Sequence, residues 1–153
     1  RKLFGWFSYT YSESKKKNYK DAKKYWFDYD QRHLASVVAN YKFNPRWNTN
    51  FIWRYGSGLP YTPYTGREMN IYGEWSSITG EKNSGRVPAY HRLDMRITKS
   101  CIYRVWTLSY YLEIMNLYGH KNVSGYSWDG IEGKGIAQYQ MPFVPFFGME
   151  ARF

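Results

Sequence analysis

The sequence is poor in cysteine and contains no long apolar run. Cys101 is the single cysteine among 153 residues, which excludes an internal disulfide framework and a zinc site built on several thiolates. No run of about 18 apolar residues occurs, so no transmembrane helix is predicted. The chain does not begin with Met and has no apolar leader. We therefore expect that a signal peptide has been removed or that the chain is a piece of a longer protein.

Aromatic and basic residues are, in contrast, abundant. Tyr, Phe and Trp make up 22% of the chain although its mean hydropathy is −0.70, and so many rings exclude a disordered chain. Lys and Arg number 22 against 12 Asp and Glu, a net charge of +10. This charge would suit nucleic acid, but lysines cluster in one predicted loop at residues 15–24. We expect no nucleic-acid partner, and the length predicts a single domain over residues 1–153.

Apolar and polar residues alternate with a period of two, and helical spacing is not sustained anywhere. In residues 92–98, for example, Leu93 and Ile97 share one face while Arg92 and Asp94 share the other. Alternation of this kind predicts β-strands with one apolar and one polar face. About eight strands are predicted, at residues 3–11, 33–43, 47–55, 92–98, 106–114, 122–128, 135–141 and 146–153.

The predicted connections alternate between long and short. The connections at 14–32 and 57–89 are long. When strands are counted back from Phe153, the connections at 118–121 and 140–145 lie on the same side of the strands as these two long ones. The turns at 44–46, 100–104 and 129–134 would lie on the opposite side. Long loops at one end and short turns at the other are typical of an outer-membrane barrel.

Three features favour a membrane barrel over a soluble sandwich with an aromatic core. Rings cluster at strand ends, as in the aromatic girdles of membrane proteins, and the strands are long enough to cross a bilayer at a tilt. The last strand carries Phe147, Met149 and Phe153 on one face. In bacterial outer-membrane barrels, a terminal aromatic residue on an alternating strand is the usual assembly signal, and we assign that role to these three residues.

Four strings, in this order and at this spacing, resemble the C-terminal end of a TonB-dependent outer-membrane receptor. The resemblance covers residues 33–153, and its strings are GSGLPYTP at 56–63, GRVPAYHRLDMRI at 85–97, YLEIMNLY at 111–118 and MPFVPFFGMEARF at 141–153.

The resemblance implies an all-β fold, a transmembrane antiparallel barrel of 22 strands of which this chain would supply about the last eight. Residues 1–153 would form one partial barrel, without the family's plug domain or energy-coupling segment. The family imports bulky nutrients such as iron chelates, cobalamin or glycans across the bacterial outer membrane. The expected partners are therefore the plug and remaining barrel strands, on this or another chain, the TonB complex through the missing N-terminal part, and outer-membrane lipid with lipopolysaccharide.

Two alternatives remain open from the sequence. A self-contained eight-stranded outer-membrane barrel could act as an anchor or adhesin, since eight strands can close around a side-chain-filled interior. That barrel requires the first strand to pair with the last. A soluble sandwich would instead bury the apolar face under a second protein layer.

The charged residues Arg92, Asp94, Arg96 and Glu113 are predicted to face the lumen. If the hairpin folds about Ile102 and Tyr103, Arg92 lies opposite Glu113, and we expect mainly a structural ladder of charges along the wall. No Ser, His and Asp order suggests catalysis, so we expect no enzyme, no catalytic residue and no cofactor. His33, His91 and His120 lie on different elements, and no metal site is predicted.

Candidate ligand contacts lie in the long loop at 57–89, where exposed rings in a transporter-like barrel often bind. The candidates are Tyr61, Tyr64, Tyr72 and Trp75, and the alternative is that these rings pack the loop against its neighbours. The lysines of 15–24 are a second candidate, for anionic lipopolysaccharide or an acidic ligand, against a solvated loop. The acidic pair Asp28 and Asp30 is a further candidate, for a cation.

Overall fold

The computed structural model describes residues 2–19 and 23–153, which form strands and turns without a helix. The predicted all-β class is confirmed. Within this part of the chain, no helix is long and apolar enough to cross a membrane.

The centre of the fold is one antiparallel sheet of six long strands, each paired with its neighbour in chain order. The strands are β1 (Leu3–Tyr11), β4 (His33–Asn44), β5 (Trp47–Gly56), β10 (Tyr90–Ile102), β11 (Thr107–Met115) and β14 (Val144–Arg152). These six strands are the most regularly alternating segments of the sequence. Successive side chains of a strand point to opposite faces, so such alternation gives a strand one apolar and one polar face.

Four two-stranded pieces lie in the connections between these strands. They are β2 (Lys15–Lys16) with β3 (Tyr25–Trp26), β6 (Pro60–Tyr61) with β9 (Gly85–Arg86), β7 (Tyr64–Met69) with β8 (Trp75–Thr79), and β12 (Val123–Asp129) with β13 (Lys134–Tyr139).

The two ends of the sheet differ, as the loop lengths predict. One end carries the turns between β4 and β5 and between β10 and β11, and the other carries residues 12–32, 57–89 and 116–143, called here the first, second and third long connections. The β4–β5 turn is tight because the Asn44 Oδ1 accepts the Arg46 and Trp47 amides at 2.9 and 3.0 Å, an Asx turn.

The strands predicted at residues 122–128 and 135–141 do not join the main sheet. They form the β12–β13 hairpin of the third long connection, and β11 pairs directly with β14 over nine residues. The predicted placement of the 129–134 turn at the short-turn end is therefore wrong, because this hairpin rises from the opposite end. Alternation identifies a strand but does not say which partner the strand takes.

The register puts the apolar residues of neighbouring strands on one face. Ile97 lies opposite Leu112, and Leu112 lies opposite Phe147. The other face carries a polar row in which Ser100 and Ser109 are paired, their hydroxyls 2.9 Å apart. The predicted separation of apolar from polar residues is clearest in β10 and β11, whereas the polar face of β1 also carries Phe4 and Trp6, which are 53 and 57% exposed.

Neither face is covered by a second layer in the described residues. The one buried hydrophobic residue there is Val87, in the second long connection. Leu112 is 39% exposed and Phe147 77%, and neither Phe51 nor Leu93 is buried. The described strands form no closed barrel, because β1 and β14 each pair along one edge and not with each other.

Candidate functional site

The four charged residues predicted to share a face do so, but the predicted pairing is wrong. Glu113 lies opposite Arg96, and Arg92 lies opposite Arg54 of β5. The cause is the β10–β11 turn, which centres between Arg104 and Val105 rather than at Ile102 and Tyr103. No Gly, Asn or Pro marks this turn in the sequence, so a two-residue shift has no local signal.

Asp94 is the centre of this charge cluster. It is 8% exposed, and its Oδ2 accepts bonds from Arg54 Nη1 at 2.7 Å and from Arg92 Nη2 at 2.9 Å. Two arginines face each other across β5 and β10, and the carboxylate between them offsets their repulsion. Sequence reasoning missed Arg54, because its role follows only from the β5–β10 register.

Arg96 and Glu113 extend the cluster toward β11. The Arg96 Nη1 lies 3.7 Å from the Glu113 Oε2, and the guanidinium stacks 3.8 Å from the centre of the Tyr111 ring. Asp94, Arg96 and Glu113 line an open depression of about 400 Å³ on the polar face. Because both carboxylates are paired with arginines, the arrangement suits a hydrated structural surface.

Asp30 joins the first and second long connections at the base of the loop end. It is 1% exposed, and its Oδ1 accepts the Ser14 amide at 2.5 Å. Its Oδ2 pairs with the Arg86 guanidinium, and Arg32 Nε lies 3.6 Å away. Arg86 also donates to the Asp30 and Gly58 carbonyl oxygens, each at 2.9 Å. The carboxylate predicted as a cation ligand is thus occupied by two arginines.

We expect the Asp30 network to make stability depend on pH. Burial acts to raise the pKa of Asp30, but the Ser14 hydrogen bond and the Arg86 and Arg32 charges outweigh it, so the pKa lies below its ordinary value. A lowered folded pKa gives stability above the unfolded pKa of about 4 that is lost as the pH falls through the folded value.

The measurement is the thermal unfolding midpoint between pH 7 and pH 2. The midpoint should fall below about pH 4, and Asp30→Asn should flatten that part of the profile. An unchanged profile in Asp30→Asn would show that other carboxyl groups cause the acid loss.

Gly58 is required where the two strands β6 and β9 are held together. A Cβ on Gly58 would overlap the carbonyl oxygen of Val87, which is a backbone atom that cannot rotate away. We expect Gly58→Ala to lower the free energy of unfolding by about 1–3 kcal/mol, measured by denaturant titration. Gly125→Ala is the matched control, because a Cβ there meets no atom within 4 Å. Equal effects of the two changes would contradict this reading.

Asn116 and Asn122 fix the third long connection to the sheet. The backbone N–H of Asn116 donates to Asp94 Oδ1 at 3.0 Å, so the connection is hydrogen-bonded to the charge cluster. The Asn122 side chain accepts the His91 amide at 2.9 Å and donates to the His91 carbonyl at 3.0 Å. Both asparagines are fully buried, and sequence reasoning missed both because their partners are distant in the chain.

The structure separates the four predicted ligand contacts. Tyr72 is 81% exposed at the tip of the β7–β8 hairpin. The Tyr61 ring centre lies 4.6 Å from that of Tyr126, and the Tyr64 ring centre lies 5.3 Å from that of Trp128. Trp75 is 45% exposed. For Tyr61 and Tyr64, the alternative that the rings pack the loop against its neighbours describes their contacts.

Trp75 and Trp128 line an open cleft between the β7–β8 and β12–β13 hairpins. The cleft has a volume of about 690 Å³ and is also lined by Asp129, Gly130, Ile131 and Ile136. The indole Nε1 of Trp128 is buried without a hydrogen-bond partner in the described structure. Trp128 was not predicted as a ligand contact, because residues 122–128 were assigned to the barrel wall.

The three residues assigned to barrel assembly lie on the last strand or just after it. Phe147 and Met149 lie opposite Leu112 and Tyr110, and Phe147, Met149 and Phe153 are 77, 71 and 95% exposed. The Phe153 ring stacks 6.1 Å from that of Trp106. The assembly role itself stays a prediction.

The sequence suggested that the three histidines lie apart, but two of them are in contact. His91 and His120 stack with ring centres 3.7 Å apart, and His33 bonds to Tyr9 instead. In the part of the chain that the structure describes, no group of three His, Cys, Asp or Glu could hold a metal ion.

Comparison with known proteins finds no matching family model, no similar curated protein and no similar solved structure. The resemblance to a TonB-dependent receptor therefore stays a prediction.

Proposed function

We propose that the six-stranded sheet is part of the wall of a bacterial outer-membrane barrel, belonging to a TonB-dependent transporter that imports a bulky nutrient. One observation carries the proposal: the sheet has an apolar, ring-rich face and a face that carries the charge cluster, and the described residues form no second layer over either. No residue is proposed as a catalyst.

The apolar face needs a non-aqueous environment. Soluble monomers rarely expose contiguous apolar patches of more than a few hundred square ångströms, whereas Leu3, Phe7 and Phe147 are 61, 66 and 77% exposed on this face. Acyl chains would cover the face, and the strand lengths of 9 to 13 residues match those that cross a bilayer at a tilt. The charge cluster on the other face would line an aqueous lumen.

The two open edges call for further strands. In lipid, unpaired backbone groups cost several kcal/mol each, so β1 and β14 would pair with barrel strands of this or another chain. A plug domain would lie against the charged face, with energy relayed from a TonB complex. The self-contained eight-stranded barrel gains no support, because two of its eight strands belong to the β12–β13 side hairpin.

The long connections would face the outside and contact the nutrient. The cleft of Trp75 and Trp128 offers two indoles and a carboxylate in an open space of about 690 Å³, a size that fits a small-molecule site. The corrin ring of cobalamin, the sugar rings of glycans and the rings of aromatic iron chelates present faces that can stack on indoles.

Spin labels can test the membrane placement. In a Cys101→Ser background, Leu112→Cys and Thr98→Cys place one nitroxide on each face of the sheet in lipid vesicles. We expect oxygen, which concentrates in acyl chains, to relax the label at 112, and a water-soluble nickel chelate to relax the label at 98. If both labels respond to the nickel chelate alone, the sheet lies in water and the wall is disproved.

The import role needs a ligand test of its own. The full chain in detergent micelles would be titrated with ferric chelates, cobalamin and soluble oligosaccharides, using tryptophan fluorescence. We expect one class to quench the emission, with at least tenfold weaker binding in Trp75→Ala. Tyr72→Ala is the control and should bind normally. No binding by any class would count against the cleft as the nutrient site.

A further inference from the structure

A second surface at the loop end is strongly basic. Residues 15 and 23–26 of the first long connection and 81–84 of the second line an open depression of about 390 Å³. We call it the basic depression, and its lining includes Lys15, Lys23, Lys24, Tyr25, Trp26 and Lys82.

The lysine charges of the basic depression are poorly neutralised. The lining holds one carboxylate, Glu81, which pairs with Lys23 at 2.5 Å. Lys15 lies 4.1 Å from the Trp26 ring centre and Lys82 lies 4.4 Å from that of Tyr25. A ring face attracts an ammonium group but does not cancel its charge. Four ammonium groups therefore share one carboxylate within the described lining, and the depression keeps a positive potential.

The floor of the basic depression is rigid. Asn83 is 5% exposed, and its Nδ2 donates to the Trp26 carbonyl at 2.7 Å and to Asp28 Oδ1 at 2.6 Å. The backbone N–H of Asn83 donates to Thr62 Oγ1 at 3.1 Å. These bonds, with the Arg86–Asp30 pair, hold the two connections together before any ligand arrives, and preorganisation of this kind lowers the entropic cost of binding.

We infer that the basic depression binds a ligand carrying phosphate groups. Phosphates carry more than one negative charge, and several lysines around one open space recognise them as point charges. The phosphate would come either from a lipopolysaccharide headgroup or from a soluble phosphorylated molecule. The inference goes beyond the proposed import role and does not depend on the sheet lying in a membrane.

The test measures binding by the full chain in zwitterionic detergent micelles, using calorimetry. One arm uses sodium tripolyphosphate and the other uses lipopolysaccharide in mixed micelles. The variant Lys15→Gln/Lys82→Gln removes two charges from the depression. The matched control, Lys121→Gln/Lys134→Gln, removes the same charge from the same end of the sheet.

We expect the depression variant to bind tripolyphosphate at least tenfold more weakly, and the control variant less than threefold. A selective loss in the tripolyphosphate arm supports a site for soluble phosphate, and a selective loss in the lipopolysaccharide arm alone supports the lipid headgroup as the source. Equal losses in the two variants would overturn the inference, because net charge alone would then explain the binding. Absence of binding in both arms would also overturn it. Circular dichroism spectra of both variants check that the sheet is intact.

Discussion

Ile97→Arg should lower the free energy of unfolding in lipid vesicles by about 2–4 kcal/mol, the cost of a cation on the lipid face near the bilayer midplane. Ile97 lies near the middle of β10, on the apolar face, between Thr49 and Leu112. In the proposed wall its side chain contacts acyl chains, where an arginine loses its hydration. Denaturant titration followed by tryptophan fluorescence measures the change.

Thr98→Arg is the control for this prediction. Thr98 is the next residue on the same strand and faces the open depressions of the charged face, so an arginine there stays hydrated. We expect a change of at most about 0.5 kcal/mol, as for other surface substitutions. If Ile97→Arg costs as little as Thr98→Arg, lipid does not cover the apolar face.

Asp30→Asn should destabilise the protein by about 3 kcal/mol, because it leaves two half-buried arginines without the carboxylate that pairs with them. The Asp30 side chain is fully buried, while those of Arg32 and Arg86 are 32 and 28% exposed. Partial exposure lets water reach both arginines, so we place the effect at the low end of the range for buried pairs. The asparagine side chain can still accept the hydrogen bond from the Ser14 backbone N–H, so the loss of stability measures the removal of the negative charge.

Asp28→Asn makes the same chemical change two residues away. Asp28 is exposed, and its hydrogen bond from Asn83 survives the substitution because the new amide oxygen also accepts. We expect a change within about 0.5 kcal/mol, measured by the same denaturant titration. Comparable losses at 28 and 30 would refute the role given to the Arg86–Asp30 pair.

The strands and their faces could be predicted because alternation is a local property. Leu93 and Arg92 are adjacent residues, and their opposite character assigns each to a face without knowledge of any partner strand. The turn at Asn44 could also be predicted from the sequence, since the Asn44 side chain and the backbone amides that it binds lie within three residues.

The pairing and the loop end could not be predicted, because they depend on residues far apart in sequence. Glu113 meets Arg96 rather than Arg92 through a turn without marker residues, and Arg86 reaches Asp30 across 56 positions. The β12–β13 segments also alternate, although less regularly than the six sheet strands, and only the β11–β14 pairing shows that they lie outside the sheet. Trp128 was therefore missed as a neighbour of Trp75.

The contacts of Asn116 and Asn122 have a mechanical consequence. Strand β10 continues beyond the end of its ladder with β11, which stops at Met95, and the third long connection fills the resulting notch through the His91 backbone and Leu93 carbonyl. The backbone N–H of Asn116, in this connection, donates to the Asp94 carboxylate, so a displacement of the connection would strain that hydrogen bond. The third long connection and the charge cluster are thus joined directly by hydrogen bonds, so a substitution that shifts the connection should also change the surroundings of Asp94.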